Sequence, residues 1–366
     1  MKKILNQQDM RDINLTSVFR LIRHAGPLTR RQIEATLNLS WGAVSGATAT
    51  LLREGYIKEV KADVTAAAGR TPIALAVNPN DHFLLGLDVN RSGLSGVVIN
   101  LAGDVLQHLD REATATTREE WIGEIKSLAR ELLATTSGRS VECIGIAMQG
   151  AVDSKAGISA KFSAEGWKNV PLATILGDAL GLPVFLAHDP DCILYAASAE
   201  RDLQDAALIR VDNGTGMAVM LNGQIFERFG AFELGFTVTA DGGRLDDSIT
   251  KQGLAKRANL PFAELVAAAR RNEPDATSLF ANMAEALAAA IVNTAQLFHV
   301  KDFLLCGKMM AQSDLFWKHM TDAVARYEGD ALHVDTTEVE KAAVGAALLA
   351  AERVTLQFNQ TKEIDP

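Results

Sequence analysis

Residues 27–57, PLTRRQIEATLNLSWGAVSGATATLLREGYI, decide how the beginning of the chain folds. Thr29 has the side chain of an N-cap, and residues 30–37 follow it as a short helix. Asn38 and Leu39 break that helix. Ser40 caps a second helix running from Trp41 to Arg53, which Glu54 and Gly55 end. Within it Val44, Ala47, Leu51 and Leu52 fall at i, i+3, i+7 and i+8 and share the inward face, while Trp41, Gly42, Ser45 and Gly46 lie elsewhere. Two short helices around a tight turn, the second with a small, polar N-terminal end, form a helix-turn-helix.

A helical hairpin inside a larger bundle would share this pattern, and the neighbouring sequence separates the two. Residues 10–24 make an upstream helix that offers Ile13, Val18, Leu21 and Ile22 as a third core element. Residues 56–60 and 73–77 read as two strands around a polar, glycine-containing tip, which is a wing. Residues 1–80 are therefore expected to be a winged helix-turn-helix DNA-binding domain. They carry eleven Lys and Arg against six Asp and Glu, so the remainder of this chain of net charge −9 stands at −14. A basic head on an acidic body is the charge pattern of a DNA reader joined to a sensor. Arg20 and Arg23 are placed to meet phosphates or to be solvated. Arg70, in the extended Gly69-Arg70-Thr71-Pro72, either enters a minor groove or is a linker residue.

The length of 366 residues suggests two or three domains, and 48% apolar residues supply large cores. No run approaches a membrane span, and the first residues lack a signal-peptide core, so the expected location is cytoplasmic, with no membrane partner. Cys143, Cys192 and Cys306 lie far apart in apolar segments and read as buried thiols.

From Phe83 the pattern changes to strands: residues 83–89, 94–100 and 105–109 form two successive hairpins. A helix at residues 121–135, a strand at 141–148, a helix at 172–180 and a strand at 183–189 follow. Residues 206–212 and 217–221, around Gly214-Thr215-Gly216 and ending at the Asn222-Gly223 turn, repeat the early hairpin. A long helix (276–298), a strand (302–307) and a closing helix (342–352) complete the second half. Two halves led by hairpins suggest a duplicated α/β body with a cleft between lobes.

These residues resemble the ROK family (repressor, open reading frame, kinase) over nearly the whole length. Asp88, Gly150, Gly166-Trp167, Asp189, Gly214-Thr215-Gly216, Asn222-Gly223, Glu233-Leu234-Gly235, Gly307 and Ala343-Val344-Gly345-Ala346-Ala347 occur in the family's order and spacing. Each is weak alone, and the ordered set is specific. The resemblance implies an α/β fold: the winged helix-turn-helix, then a duplicated actin/hexokinase-like, ribonuclease-H-like body. Its first lobe is expected at residues 81–190 with the C-terminal helix 341–353, and its second at 191–340. The head marks the regulator branch, since the family's sugar kinases lack it.

Several departures bear on activity. The kinases carry Gly-Gly-Thr after the first strand's Asp, where backbone N–H groups meet ATP phosphate. Here Val89-Asn90-Arg91-Ser92-Gly93 follows Asp88, Ala218 replaces a third glycine of the second loop, and Lys308 follows Gly307. No kinase activity and no cofactor are expected, although Asp189 matches the kinase catalytic base. The family's Glu-x-Gly-His reads Glu233-Leu234-Gly235-Phe236, with no Cys in residues 237–254, so no metal is expected. Its Asn-Asp pair reads His188-Asp189.

The resemblance makes Asp189 and Glu233 the leading ligand residues, because carboxylates accept paired hydrogen bonds from adjacent hydroxyls. Gly150 joins them. The competing readings are Glu233 as a cap or ion-pair residue, His188 as a satisfied strand-end histidine, and Trp167 as a core anchor rather than a cleft wall; Phe236 lines the site or plugs it. By the family's docking mode Ser40, Trp41, Gly42 and Ser45 face the major groove, with Arg30 and Arg31 beside them; Trp41 in the core is the competing placement. The expected protein is a sequence-specific DNA-binding repressor of carbohydrate-metabolism genes, a homo-oligomer (dimer or tetramer) controlled by a sugar or sugar derivative. The alternatives are an ATP-dependent sugar kinase with a regulatory head and a DNA-bound regulator controlled by a protein partner.

Overall fold

The computed structural model describes residues 7–61, 72–227, 232–239, 241–328 and 331–356. The wing tip read at residues 62–69 and Arg70 lie outside the described residues. The head opens with α1 (Gln7–Ala25), α2 (Arg30–Leu37) and α3 (Trp41–Arg53). Thr29 and Gln32 form a reciprocal capping box on α2, Asn38 leaves that helix at φ 51°, and the Ser40 hydroxyl caps α3. β1 (Ile57–Lys61) and β2 (Ile73–Val77) pair antiparallel, Ile57 opposite Val77 and Lys61 opposite Ile73, as a wing. Leu15, Val18, Phe19 and Ile22 form the buried stripe of α1 against Ile33, Val44 and Leu51. Ile13, expected inside, is 42% exposed: it is out of phase with that i, i+3, i+4, i+7 set.

The first lobe comprises β3 (His82–Asn90), β4 (Gly93–Asn100), β5 (Val105–Glu112), α4 (Arg118–Thr135) and β6 (Ser140–Met148). It continues through a small sheet of β7 (Ala151–Asp153), β8 (Ile158–Lys161) and β9 (Lys168–Val170), then α5 (Leu172–Leu180) and β10 (Val184–His188). The strand order is β10-β6-β3-β4-β5, with β3, β4 and β5 antiparallel and β3, β6 and β10 parallel. α6 (Asp189–Arg201) leads into the second lobe: β11 (Ala206–Val211), β12 (Thr215–Leu221), β13 (Gln224–Ile225), α7 (Leu245–Ile249), α8 (Lys251–Ala258) and α9 (Phe262–Arg270). It ends with α10 (Pro274–Phe298), β14 (Asp302–Cys306), α11 (Ser313–Glu328) and β15 (His333–Thr336), followed by α12 (Lys341–Arg353). Its order, β13-β12-β11-β14-β15, repeats the first sheet strand for strand, again antiparallel on one side and parallel on the other. The body is thus a duplicated actin/hexokinase-like fold.

α12 packs across the first sheet where Gly86 and Gly145 stand opposite each other in the register of β3 and β6. A Cβ on Gly86 would overlap the Ala343 carbonyl, and one on Gly145 the Ala346 carbonyl. Gly345 is held as tightly against the Cys192 carbonyl of α6. Glycines on three elements therefore let two helices and a sheet approach at backbone distance, with Ala342, Ala343, Ala346, Ala347 and Ala350 filling what remains. The three cysteines are free and buried. One expectation is corrected: α10 is long and apolar enough, by length and composition, to match a membrane span. Phe280, Met283, Leu287 and Ile291 along it are buried in the second lobe's core, which accounts for its apolar character.

Two glycine substitutions should separate these environments. Gly145→Ala should cost about 1–3 kcal/mol by overpacking, read from urea unfolding. Gly42→Ala, in a helix with no heavy atom near the new Cβ, should raise stability by up to about 1 kcal/mol.

Candidate functional site

The parallel strands β6 and β10 end beside β3, so the polar residues after them gather at one end of the first sheet. β10 finishes at His188, and Asp189-Pro190 opens α6, with the proline at a position where its missing N–H costs nothing. Asp189 is buried, as is Asp88 at the end of β3. From the other lobe, Arg210 on β11 reaches across: its Nη1 donates to Asp189 Oδ2, and its Nε donates to Asp212 Oδ2 at 2.8 Å. His188 Nε2 lies 3.4 Å from Asp189 Oδ1, and His188 Nδ1 is buried without a partner. Asp88 Oδ2 accepts from Asn90 Nδ2 at 2.9 Å, while Oδ1 is buried and unpartnered. Burial, then the charge of Asp189, pushes the Asp88 carboxyl up to about 7.

The turn between β3 and β4 uses up its own donors. Arg91 N–H goes to Gln149 Oε1 at 3.0 Å and Ser92 N–H to Asn90 Oδ1 at 2.9 Å. Lys308 N–H is taken by Asp212 Oδ1, and Lys308 Nζ donates to Ser92 Oγ at 3.2 Å, joining the lobes across the cleft mouth. Backbone donors that already have side-chain acceptors must surrender them to hold a phosphate.

The loop carrying Glu233 and Phe236 reaches this neighbourhood through Asp246. Thr215 Oγ1 donates to Asp246 Oδ1 at 2.6 Å, Gly235 lies against the same carboxylate, and a Cβ on Gly216 would come to 3.0 Å from Pro190 Cγ. Glu233 is exposed at the start of a 3-10 turn, and Phe236 is 53% exposed with the Arg244 guanidinium 4.7 Å over its ring. Of the expected ligand residues the structure unites His188 and Asp189 with Arg210, Asp212 and Asp88; the turn of Glu233 and Phe236 meets Asp246 at Gly235, and Asp246 in turn holds Thr215 at the start of β12. Of the two readings of Trp167 the structure takes the core anchor: it is in the first lobe's core, packed against Phe162, its indole N–H on Ser159 Oγ at 3.0 Å. Gly150, at φ 98°, is demanded by the close pass of the Lys161 carbonyl. Sequence reading missed Arg210, whose only signal was a charge inside an otherwise apolar strand.

In the head, Trp41 is 51% exposed beside exposed Gly42 on the first turn of α3, so the core placement is excluded. Ser40 is occupied by its cap on Ala43 N–H at 3.3 Å, and Ser45 is half-buried. Arg31 is exposed. Arg30 is not free for phosphate: its Nε donates to Thr48 Oγ1 at 3.1 Å and its Nη2 pairs with Glu59 at 3.3 Å, bracing α2 to α3 and the wing. Arg20 and Arg23 both pair with Glu352 of α12.

Fold and cleft define a two-lobed protein of the sugar-kinase architecture carrying a DNA-binding type of head. The ROK family pattern matches residues 84–353, and the chain belongs to that family. A protein named as a transcriptional regulator in Mycobacterium tuberculosis is 30% identical over 187 residues, 50% of this chain and 42% of that protein. The N-acetylglucosamine repressor of Escherichia coli is 27% identical over 241 residues, 61% of this chain and 56% of the repressor. The chain spans about half the length of the curated relatives it matches. A solved ROK family transcriptional regulator, described as a homologue of the Escherichia coli MLC protein, shares the fold at TM-score 0.75 and 20% identity, over 94% of this chain and 99% of its own. ROK kinases share the body too; the Thermus thermophilus hexokinase covers 74% of this chain at TM-score 0.67 and 21% identity, with all of its own length matched.

The site generates two expectations. Arg210→Ala leaves Asp189 buried beside Asp88 without its cation and should cost about 3–5 kcal/mol in urea unfolding. Asp88 keeps its proton in the folded chain where the unfolded carboxyl, with its ordinary value of 3.8, has lost it. Its contribution to stability is therefore full at low pH and is lost as pH rises from the unfolded value through about 7. Asp88→Asn should remove that loss, so the melting temperature of the variant relative to the parent should climb between these two values; a flat difference would contradict the assignment.

Proposed function

We propose that this chain is a sequence-specific DNA-binding transcriptional repressor of carbohydrate-metabolism genes, controlled by a sugar or sugar derivative in the cleft. It acts in the cytoplasm as a homo-oligomer, dimer or tetramer, on double-stranded operator DNA. The observation that carries this reading is the pairing of a helix-turn-helix head with two paired wing strands, with Trp41 and Gly42 exposed at the start of α3, with a cleft whose phosphate-side donors are bound internally. A relative named N-acetylglucosamine repressor supports the same direction. In this reading Asp189 and Glu233 accept hydrogen bonds from sugar hydroxyls, Phe236 presents an apolar face, and Arg210 gives up part of its hold on Asp189 when ligand enters. Asp189 as a kinase base is disfavoured in this reading, since Arg210 already occupies its Oδ2.

DNA recovered from a random duplex pool by the full chain provides the test. Trp41→Ala should weaken binding to that sequence by about 10- to 100-fold without changing the melting temperature. Arg31→Ala should weaken it on all sequences and lower the salt slope by about 1. A thermal-shift panel of monosaccharides, sugar phosphates and polyols should give stabilisation without ATP and magnesium. A shift that requires ATP, with turnover, would establish a kinase; no shift with any sugar would point to a protein partner.

A further inference from the structure

The end of α12 is where the head, the first lobe and the cleft helix meet. Tyr195, buried on α6 two turns from Asp189, donates its hydroxyl to Glu352 Oε1 at 3.2 Å. The same oxygen accepts from Arg23 Nη2 of α1 and lies 2.9 Å from His24 Nε2. Arg20 Nε stands 3.6 Å from Glu352 Oε2, and Arg20 Nη2 donates to the Glu352 carbonyl. Arg23 Nη2 also reaches the Leu348 carbonyl at 3.3 Å. Glu352 is thus the carboxylate through which α6, from the cleft side, and α1, from the head, are held together.

The head has a second tie that does not involve α6. His82 Nδ1 meets Glu142 Oε1 at 2.7 Å, its Nε2 meets the Glu54 carbonyl at the end of α3 at 2.7 Å, and Tyr56 stacks on its ring with centroids 3.8 Å apart. Release at Glu352 therefore leaves the head attached through Tyr56, His82 and the shared apolar core.

We propose that the Arg23–Glu352–Tyr195 node holds the head in one pose on the body and hands movement of α6 at the cleft on to the DNA-reading helices. This rests on the reading that the cleft takes an effector at Asp189. Three properties suit the node to the task. α6 is buried on all sides along Asp189–Ser198, so a displacement at its first turn is passed along the packed helix. The Tyr195–Glu352 bond is already long, so a shift of about 1 Å, the scale of helix movements at switching interfaces, takes it outside hydrogen-bond range. Arg20 Nε and Arg23 Nη1 are buried without a hydrogen-bond acceptor, so the node holds donors that a second arrangement could satisfy.

Hydrogen exchange on the full chain, without DNA or sugar, tests this. Tyr195→Phe keeps the ring and should speed exchange in α1 by about 3- to 10-fold, leaving α4 and α10 unchanged. Glu352→Gln should do so more strongly. Arg210→Gln, which loosens Asp189, should speed α1 exchange in the parent and add nothing in the Tyr195→Phe background; Asp189→Asn serves if that variant does not fold. Unchanged α1 exchange, a rise spread over α4 and α10, or independent multiplication of the two effects would overturn the node. Because neither ligand is used, a chain that binds no sugar can still pass, and one that binds sugar can fail.

Discussion

The backbone contact of α12 with its neighbours is the constraint on which the rest depends. Gly86 and Gly145 flatten one place on the first sheet, and Gly345 opens one place on the helix. Any side chain at these positions would separate α12 from the sheet or from α6. With them in place, one helix touches the first lobe along one face and the cleft helix along the other. Its last turn then lies against α1. The head is accordingly not an appendage on a linker: its core runs without interruption into Leu84, Ile99, Ala343, Ala347 and Ala350 of the body.

The same architecture serves kinases and regulators, and the difference lies in how donors and charges are spent at the cleft. A phosphate cradle needs backbone N–H groups that are unpaired until ligand arrives. In this chain Asn90, Gln149 and Asp212 have taken three of them. Arg210 stands as a cation among Asp88, Asp189 and Asp212 and makes Asp189 half of an ion pair between lobes. Such a pair responds to any ligand that competes for Asp189. Lys308 to Ser92 is a weaker second latch on the same opening.

Local signals were legible in the sequence, and contacts across elements were not. The helix-turn-helix could be read because Thr29, Gln32, Asn38 and Ser40 each fix a helix end through nearest neighbours. The β-hairpins of both lobes, and hence the duplication, followed from alternation and turns. α6 escaped because burial on all sides leaves no polar face to set a period. Trp167 read equally as cleft wall or core anchor, because spacing along the chain does not report exposure. Arg20 and Arg23 read as phosphate-facing or solvated because nothing in the sequence announces that Glu352, more than three hundred residues later, lies beside them. Burial pushes the Glu352 carboxyl up, but the His24 hydrogen bond and the Arg23 charge bring it down to about 2.

The central claim is that one continuous set of contacts joins cleft and head, so that binding at each must alter binding at the other. The direct test is a pair of titrations on the full chain: selected operator DNA with and without the stabilising sugar, and that sugar with and without the DNA. The account predicts the same factor in both directions, about 5-fold or more. Two affinities that do not change would contradict it, however tightly each ligand binds alone.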